Sequence, residues 1–319
     1  MANMKRHWAP LSRRQFLRGA SWATAGVATS AWPGPPRTAS SLKDPGIQLW
    51  TVNGLMQLDA PATLAALRAI GYTKVESAGF GKRSAQEFRV LLDAAGLRCP
   101  SAHLDFLKGE PAKLFADAKS IGADYATSSI LVLGTGAPSY SGLAPRGYAW
   151  QFSAMTQADA HKAAARANEL GRLARRVGLR YAYHNHFFEF VPDAGVTAYD
   201  ILLRETDPDY VWFEIDCGWM MAAGHDPVNY MERHPGRIAM IHARDFEPVP
   251  ADAGEAGRPA RRICTELGHG FIDYRRILRA AKTAGVRHCF AEQDGDFAHM
   301  IPIEAAKVAY RYLTSMAPS

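Results

Sequence analysis

Tyr183-His184-Asn185-His186-Phe187-Phe188-Glu189-Phe190 places two histidines, an asparagine and a glutamate within eight residues. The run Arg180 to Tyr183 before it is apolar enough to read as a short strand. Side chains alternate along a strand, so His184 and His186 share one face and Asn185 takes the other. Polar groups of metal-ligand type closing an apolar strand suggest the mouth of a barrel. A pair of hydrogen-bonded surface histidines would produce the same eight residues, so the reading depends on the strands around it.

Those strands come in a rhythm. Upstream, apolar runs at Gly46 to Val52, Tyr72 to Glu76, Leu97 to His103 and Ala123 to Leu131 read as strands. Helical segments separate them at Pro61 to Ile70, Ala85 to Ala95 and Pro111 to Ile121, each followed by glycine. A loop rich in Gly, Pro and Ser and a long helix, Gln157 to Val177, lead into the opening stretch. Downstream, strands at Val211 to Asp216, Arg237 to His242 and Arg287 to Glu292 alternate with helices at Thr197 to Glu205, Pro227 to His234 and Tyr274 to Ala284. Ala298 to Leu313 closes the series. Eight strand–helix units in about 270 residues predict a (β/α)8 TIM barrel, an α/β fold. The first strand carries no GxGxxG, which disfavours a dinucleotide-binding open sheet.

In such barrels chemistry sits at the C-terminal strand ends. Those ends read Gln48 and Trp50, Glu76, His103 and Asp105, His184, His186 and Glu189, Glu214 and Asp216, His242 and Asp245, Glu292 and Asp294. One such residue commonly caps the next helix. Four consecutive strands ending in His, Asp, His and Glu are harder to explain so. A mixed nitrogen and carboxylate set suits one divalent ion such as Mn, Co, Zn, Fe(II) or Mg.

From about Gly46 to Ser315 the chain resembles the xylose isomerase-like barrel superfamily, in the branch of sugar phosphate isomerases/epimerases. The resemblance rests on GIQLWTV, VES, AHL, YHNHFFEF, FEIDCGW, PGRIAMIHARD, LGHGFIDY and AEQD. It implies a divalent metal held by His184, Asp216, His242 and Glu292, with Glu189 as a nearby candidate fifth ligand. His184 stands where many epimerases of the family carry a glutamate, which argues against symmetrical two-base epimerisation. Arg244 in HARD replaces the lysine of HVKD and is a poor base. His269 replaces a glutamate common in the GEG signature.

The expected chemistry is isomerisation or epimerisation of a carbohydrate, or lyase or hydratase action on a keto-sugar, begun by proton abstraction beside a carbonyl. Glu292 or Glu189 is the candidate base, and His103, His186 or His269 a candidate acid. Gln48, Trp50, Glu76, Trp219, Arg244 and His269 are candidate substrate contacts. Phe187 joins Trp50 and Trp219 as an aromatic that either stacks on a sugar or packs in the core. A non-catalytic sugar-binding barrel is the alternative. A nuclease of the endonuclease IV type is a weaker one, because it needs a basic groove.

The N-terminus belongs to another function. Ser12-Arg13-Arg14-Gln15-Phe16-Leu17, a weak apolar run to Ala31 and Thr29-Ser30-Ala31 follow the order of a twin-arginine signal peptide, residues 1–31, with a linker at 32–45. The run is too short to span a bilayer stably. The expected partner is the twin-arginine (Tat) export machinery and the expected location the periplasm. Residues 1–31 hold Lys5, Arg6, Arg13, Arg14 and Arg18 and no acid, so removing five positive charges takes +6 to +1. The basic balance is an address and not a nucleic-acid footprint. Cys99, Cys217, Cys264 and Cys289 form no CxxC pair. The sequence leaves oligomeric state open.

Overall fold

The apolar run at Gly46 to Val52 makes less strand than its length suggests. In the computed structural model of the chain, β1 is Gly46–Gln48. Gln48 Oε1 accepts from the Trp50 backbone N–H at 3.1 Å. That bond caps a 3-10 turn, Leu49–Val52, leading into α1, Asn53–Leu58. The structure describes residues 42–136, 153–248, 263–295, 297 and 299–317. The expected signal peptide, and the linker up to residue 41, lie outside the described residues.

The strands are β2 (Lys74–Ala78), β3 (Arg98–His103), β4 (Tyr125–Ser128), β5 (Arg180–His184), β6 (Val211–Asp216) and β7 (Ile238–Ala243). A short antiparallel pair, β8 (Asp245–Phe246) and β9 (Cys264–Thr265), precedes β10 (His288–Ala291). Eight parallel strands close the barrel in the order β1-β2-β3-β4-β5-β6-β7-β10. The seam is Gly46 beside Phe290 and Ile47 beside Ala291. A side chain at Gly46 would meet the Phe290 ring at 2.5 Å, so glycine is what lets the seam close.

The helices are α2 (Ala60–Ile70), α3 (Ala85–Ala95), α4 (Pro111–Ser120), α5 (Gln157–Arg176) and α6 (Ala198–Glu205). After them come α7 (Cys217–Ala222), α8 (Pro227–Arg233), α9 (Tyr274–Ala284) and α10 (Pro302–Met316). Reciprocal capping boxes, Ser84 with Glu87 and Thr156 with Asp159, start α3 and α5. Each such cap contributes about 1 kcal/mol. Two short helices, α1 and α7, were not expected from the sequence. α7 grows out of the end of β6, where the Asp216 side chain turns back to cap it, whereas α1 follows the 3-10 turn that Gln48 caps and has no side-chain cap of its own. The last helix begins at Pro302 rather than Ala298, because proline suits a first helical turn.

The sheet separates two apolar regions. Leu64, Phe88, Phe115, Leu170, Ile201 and Leu278 belong to the shell between helices and barrel. Tyr125, Ala182, Met240 and Phe290, with Trp212 against them, form a second cluster. Two residues further along the same five strands stand Thr127, His184, His242, Glu292 and Glu214. Period-two alternation keeps each pair on one face. The barrel lumen thus changes from apolar to polar within one step of the pleat.

All four cysteines are buried and unpaired. Among the described residues no helix is long and apolar enough to cross a membrane.

Candidate metal centre and active site

Register brings the polar strand ends together. Asp216 on β6 lies directly opposite His242 on β7, and His242 opposite Phe290 on β10, two residues before Glu292. His184 ends β5 opposite Glu214. Donor atoms of His184, Asp216, His242 and Glu292 all lie within 4.8 Å of one another, and all four residues are buried. An overlapping set, His103, His184, Glu214 and His242, meets the same limit. Two imidazoles and two carboxylates are a donor set suited to a divalent cation.

Asp216 is held from three sides. Its Oδ1 accepts the Trp219 N–H at 2.8 Å, which starts α7, and its Oδ2 accepts Arg244 Nε at 2.9 Å. Its backbone N–H donates to Asn185 Oδ1 at 3.2 Å, while Asn185 Nδ2 reaches the Asp216 carbonyl at 3.4 Å. Alternation puts Asn185 on the face opposite His184, and that face clamps the next strand. Glu292 Oε2 lies 2.7 Å from His242 Nδ1 and accepts Arg244 Nη2 at 2.6 Å. Among the described residues Glu292 Oε1 makes no hydrogen bond, and the residue is 8% exposed.

Charge in the cluster is balanced internally. Burial disfavours an ionised Glu292, but Arg244 and His242 outweigh it and hold its carboxyl well below the usual range. Burial, with Glu292 nearby, pushes the Asp294 carboxyl up to about 7 against the pull of Arg244. Burial, with His242 beside it, pulls the His184 imidazole down to about 4, so that ring is neutral. Burial opposes charge on His242 too, yet Glu214, Glu292 and Glu76 raise it well above its ordinary value. The side chain of His103 keeps 16% exposure and lies 2.6 Å from Glu214 Oε2. Glu76 and Glu214 raise it despite its burial.

Several expected substrate contacts have other duties. Arg244 is 1% exposed and pairs with Asp216, Glu292 and Asp294, so it braces carboxylates rather than meeting substrate. Its guanidinium lies 4.9 Å from the Trp219 ring centre. Phe187 and Phe246 pack on that ring at 5.2 and 5.0 Å, so Trp219 and Phe187 are core. Gln48 donates to Glu76 Oε2 at 2.9 Å, and the same oxygen lies 2.6 Å from His242 Nε2. Ser101 donates to the other Glu76 oxygen. Gln48 and Glu76 therefore form the floor beneath His242. His269 is exposed; its nearest acid is Glu266 at 3.9 Å, and no described contact joins it to the cluster. Trp50 is half-buried at the mouth beyond β1.

Glu189 also differs from expectation as ligand or base. It is fully buried, and its two oxygens accept Tyr183 Oη at 2.8 Å and the His186 N–H at 2.9 Å. Burial pushes its carboxyl up to about 8. It ties the loop after β5 to the strand. That loop holds the His186 ring 5.2 Å from the ring of His184 and stacked on Phe188.

The sequence places Glu214 and Asp294 at strand ends without pointing to a role for either. Gly218 carried no signal at all. A Cβ there would lie 2.8 Å from both the Cβ and the carbonyl oxygen of Arg244. Only glycine lets α7 approach Arg244 so closely. Away from the cluster, a cavity of about 660 Å³ lies beside the ends of β1 and β2, lined by Leu49, Asn53, Gly79, Phe80, Lys82 and Arg83.

A closed parallel barrel with a histidine–carboxylate cluster at its C-terminal mouth defines the class of protein. A family profile described as "Xylose isomerase-like TIM barrel" matches residues 64–294, and the chain belongs to that family. It is 31% identical over 151 residues to an inosose dehydratase of Lacticaseibacillus casei, an alignment covering 45% of this chain and 50% of that one. The chain thus spans about half the length of the curated relatives it matches. Among solved structures, a sugar phosphate isomerase/epimerase from Parabacteroides distasonis superposes with a TM-score of 0.62 at 22% identity, over 88% of this chain and 96% of that one. The IOLI protein with a bound zinc atom gives 0.61 at 15% identity, over 86% and 97%.

Proposed function

We propose that the chain is a metal-dependent enzyme that removes a proton beside the carbonyl of a keto-sugar or keto-cyclitol and then expels a β-hydroxyl as water. The carrying observation is the convergence of His184, Asp216, His242 and Glu292 within 4.8 Å at the barrel mouth. These four would hold the ion. A bound divalent ion supplies positive charge that polarises the carbonyl and makes the neighbouring C–H more acidic. Glu292 takes the proton: both of its described contacts use Oε2, which leaves Oε1 for the substrate. The electron pair of that C–H bond forms the new C=C as the bond to the β-hydroxyl breaks. His103, partly exposed beside Glu214, delivers the proton that makes the leaving group water. The names of the curated relatives, inosose dehydratases, support elimination. Isomerisation is the second reading, favoured by His186 next to His184, which could return a proton to a neighbouring carbon.

The test is to incubate metal-loaded protein with keto-cyclitols and keto-sugars in heavy water and follow products by NMR. Elimination yields a dehydrated product. Solvent deuterium in an unchanged carbon skeleton without dehydration favours the isomerase. Binding with neither outcome leaves the non-catalytic sugar-binding barrel.

Export to the periplasm by the twin-arginine route belongs to the same proposal, supported by Ser12 to Leu17. Replacing Arg13 and Arg14 with Lys is expected to retain the precursor in the cytoplasm, and normal export on cell fractionation contradicts it.

A further inference from the structure

Among the four expected ligands lies a carboxylate that the expected chemistry does not use. Glu214 is completely buried, two residues before Asp216 on the same face of β6. One of its oxygens, Oε2, lies 2.6 Å from His103 Nε2, 3.1 Å from His184 Nδ1 and 3.2 Å from His242 Nε2. Three histidines from three strands converge on one acceptor.

The nitrogens they present differ. His184 offers Nδ1 to Glu214, so its Nε2 is the nitrogen left for another partner. His242 offers Nε2 to Glu214 and, at 2.6 Å, to Glu76, while its Nδ1 lies on the side of Glu292. A carboxylate only accepts, so each nitrogen facing Glu214 carries hydrogen; His242 Nδ1 faces the Glu292 carboxylate in the same way, and it is that second hydrogen which an ion shared with Glu292 would displace. A neutral imidazole has one N–H and one lone pair, and a metal needs the lone pair.

We propose that Glu214 is the positioning residue of the centre: it keeps the proton on Nδ1 of His184 and on Nε2 of His242, so that the ion is taken by Nε2 of the first ring and Nδ1 of the second. This rests on the metal-centre reading above and adds the device that orients its two imidazoles. A carboxylate behind a ligating histidine sets ring orientation and raises ligand basicity; its loss typically costs about 10- to 100-fold in metal affinity. Here one carboxylate serves both rings, from a position opposite His184 and one pleat before Asp216. Ser101 and Gln48 hold Glu76, the nearer acceptor at His242 Nε2, which shares that proton with Glu214.

The experiment uses zinc on the full chain. Long-range proton–nitrogen spectra of the histidine-labelled, zinc-loaded wild type report which ring nitrogens carry hydrogen. The expected result is Nδ1–H on His184 and Nε2–H on His242, with one ion per chain by elemental analysis. Glu214→Gln is expected to keep one ion per chain and bind it about 10- to 100-fold more weakly against a competing chelator. Reversed nitrogens in the wild type overturn the inference whether or not the variant folds. So does unchanged affinity in a folded Glu214→Gln, judged by circular dichroism. Two ions in the wild type and one in the variant would make Glu214 a ligand of a second site and also overturn it. A wild type that takes up no zinc, cobalt or manganese removes the parent reading and this inference together.

Discussion

His242 and His288 stand on neighbouring strands, β7 and β10, at opposite ends of the barrel. Burial opposes a charge on both. His242 lies among Glu76, Glu214 and Glu292, which overcome burial and favour the imidazolium. His288 lies among Lys74, Arg287 and Arg98, which add to burial and drive it down to about 3. Its Nδ1 is buried without a hydrogen-bond partner among the described residues, and its ring stacks near Phe290 at 5.9 Å. A buried histidine is therefore informative only through its company. The C-terminal mouth gathers acids and the N-terminal end gathers bases. A cation is at home at one end alone.

That contrast can be broken most sharply at Glu292. Glu292→Gln keeps size and one oxygen donor but removes the base. Turnover is expected to fall roughly a hundred- to ten-thousand-fold, with a smaller loss of metal affinity. Exchange of the substrate's α-proton with heavy water should stop. Recovery of exchange at saturating metal would make Glu292 a ligand only.

His242→Ala is expected to lower metal affinity by more than about a hundredfold, since it removes a ligand and not merely its support. Cys264→Ala and His288→Ala should retain one ion per chain by elemental analysis. Equal metal in His242→Ala and wild type would contradict the centre.

The third prediction concerns Glu189, an acid at the mouth with no cation against it. Its folded value, about 8, lies above that of an unfolded carboxylate. The folded chain therefore binds more protons than the unfolded one between about pH 5 and 8, and stability falls as pH rises through that window. At about 1.36 kcal/mol per pKa unit, the full linkage is on the order of 5 kcal/mol. Urea unfolding at pH 5 and pH 8 should show this fall in the wild type and little of it in Glu189→Gln. A parallel pH dependence in both chains would refute it.

His288 is predicted to act with the opposite sign. Its depressed value means the unfolded chain binds the extra proton, so stability present above about pH 6.5 is lost on acidification. Partial exposure limits the effect to about 1 kcal/mol. His288→Leu should flatten the decline between pH 7 and 4.5, and a steeper decline would contradict this.

The barrel was legible because each strand is a short apolar run and each helix is punctuated by proline or glycine. The four candidate ligands were legible because they close consecutive strands, where a barrel places its chemistry. Glu214 received no role because it lies one pleat inside the strand, where a sequence predicts core. The role of Glu189 was obscure for a related reason. Spacing shows that it is near His184 but not that Tyr183 and the His186 N–H occupy both its oxygens. Arg244 read as a charge available to substrate, since nothing in HARD tells that Asp216 and Asp294 close around it. Helix α7 was hidden in an apolar run, CGWMMA, whose starting signal is the Asp216 carboxylate itself.

Gly218 shows where this arrangement is exposed to change. Arg244 grips Asp216 and Glu292 only because the second residue of α7 has no side chain to push it away. A survey of substitutions scored by lost activity would rank Gly218 with the ligands, although it carries no charge, no side-chain lone pair and no reach to a substrate. Its tolerance would follow the room beside Arg244, methyl group by methyl group, and its defects would mimic those of Asp216 and Glu292 together.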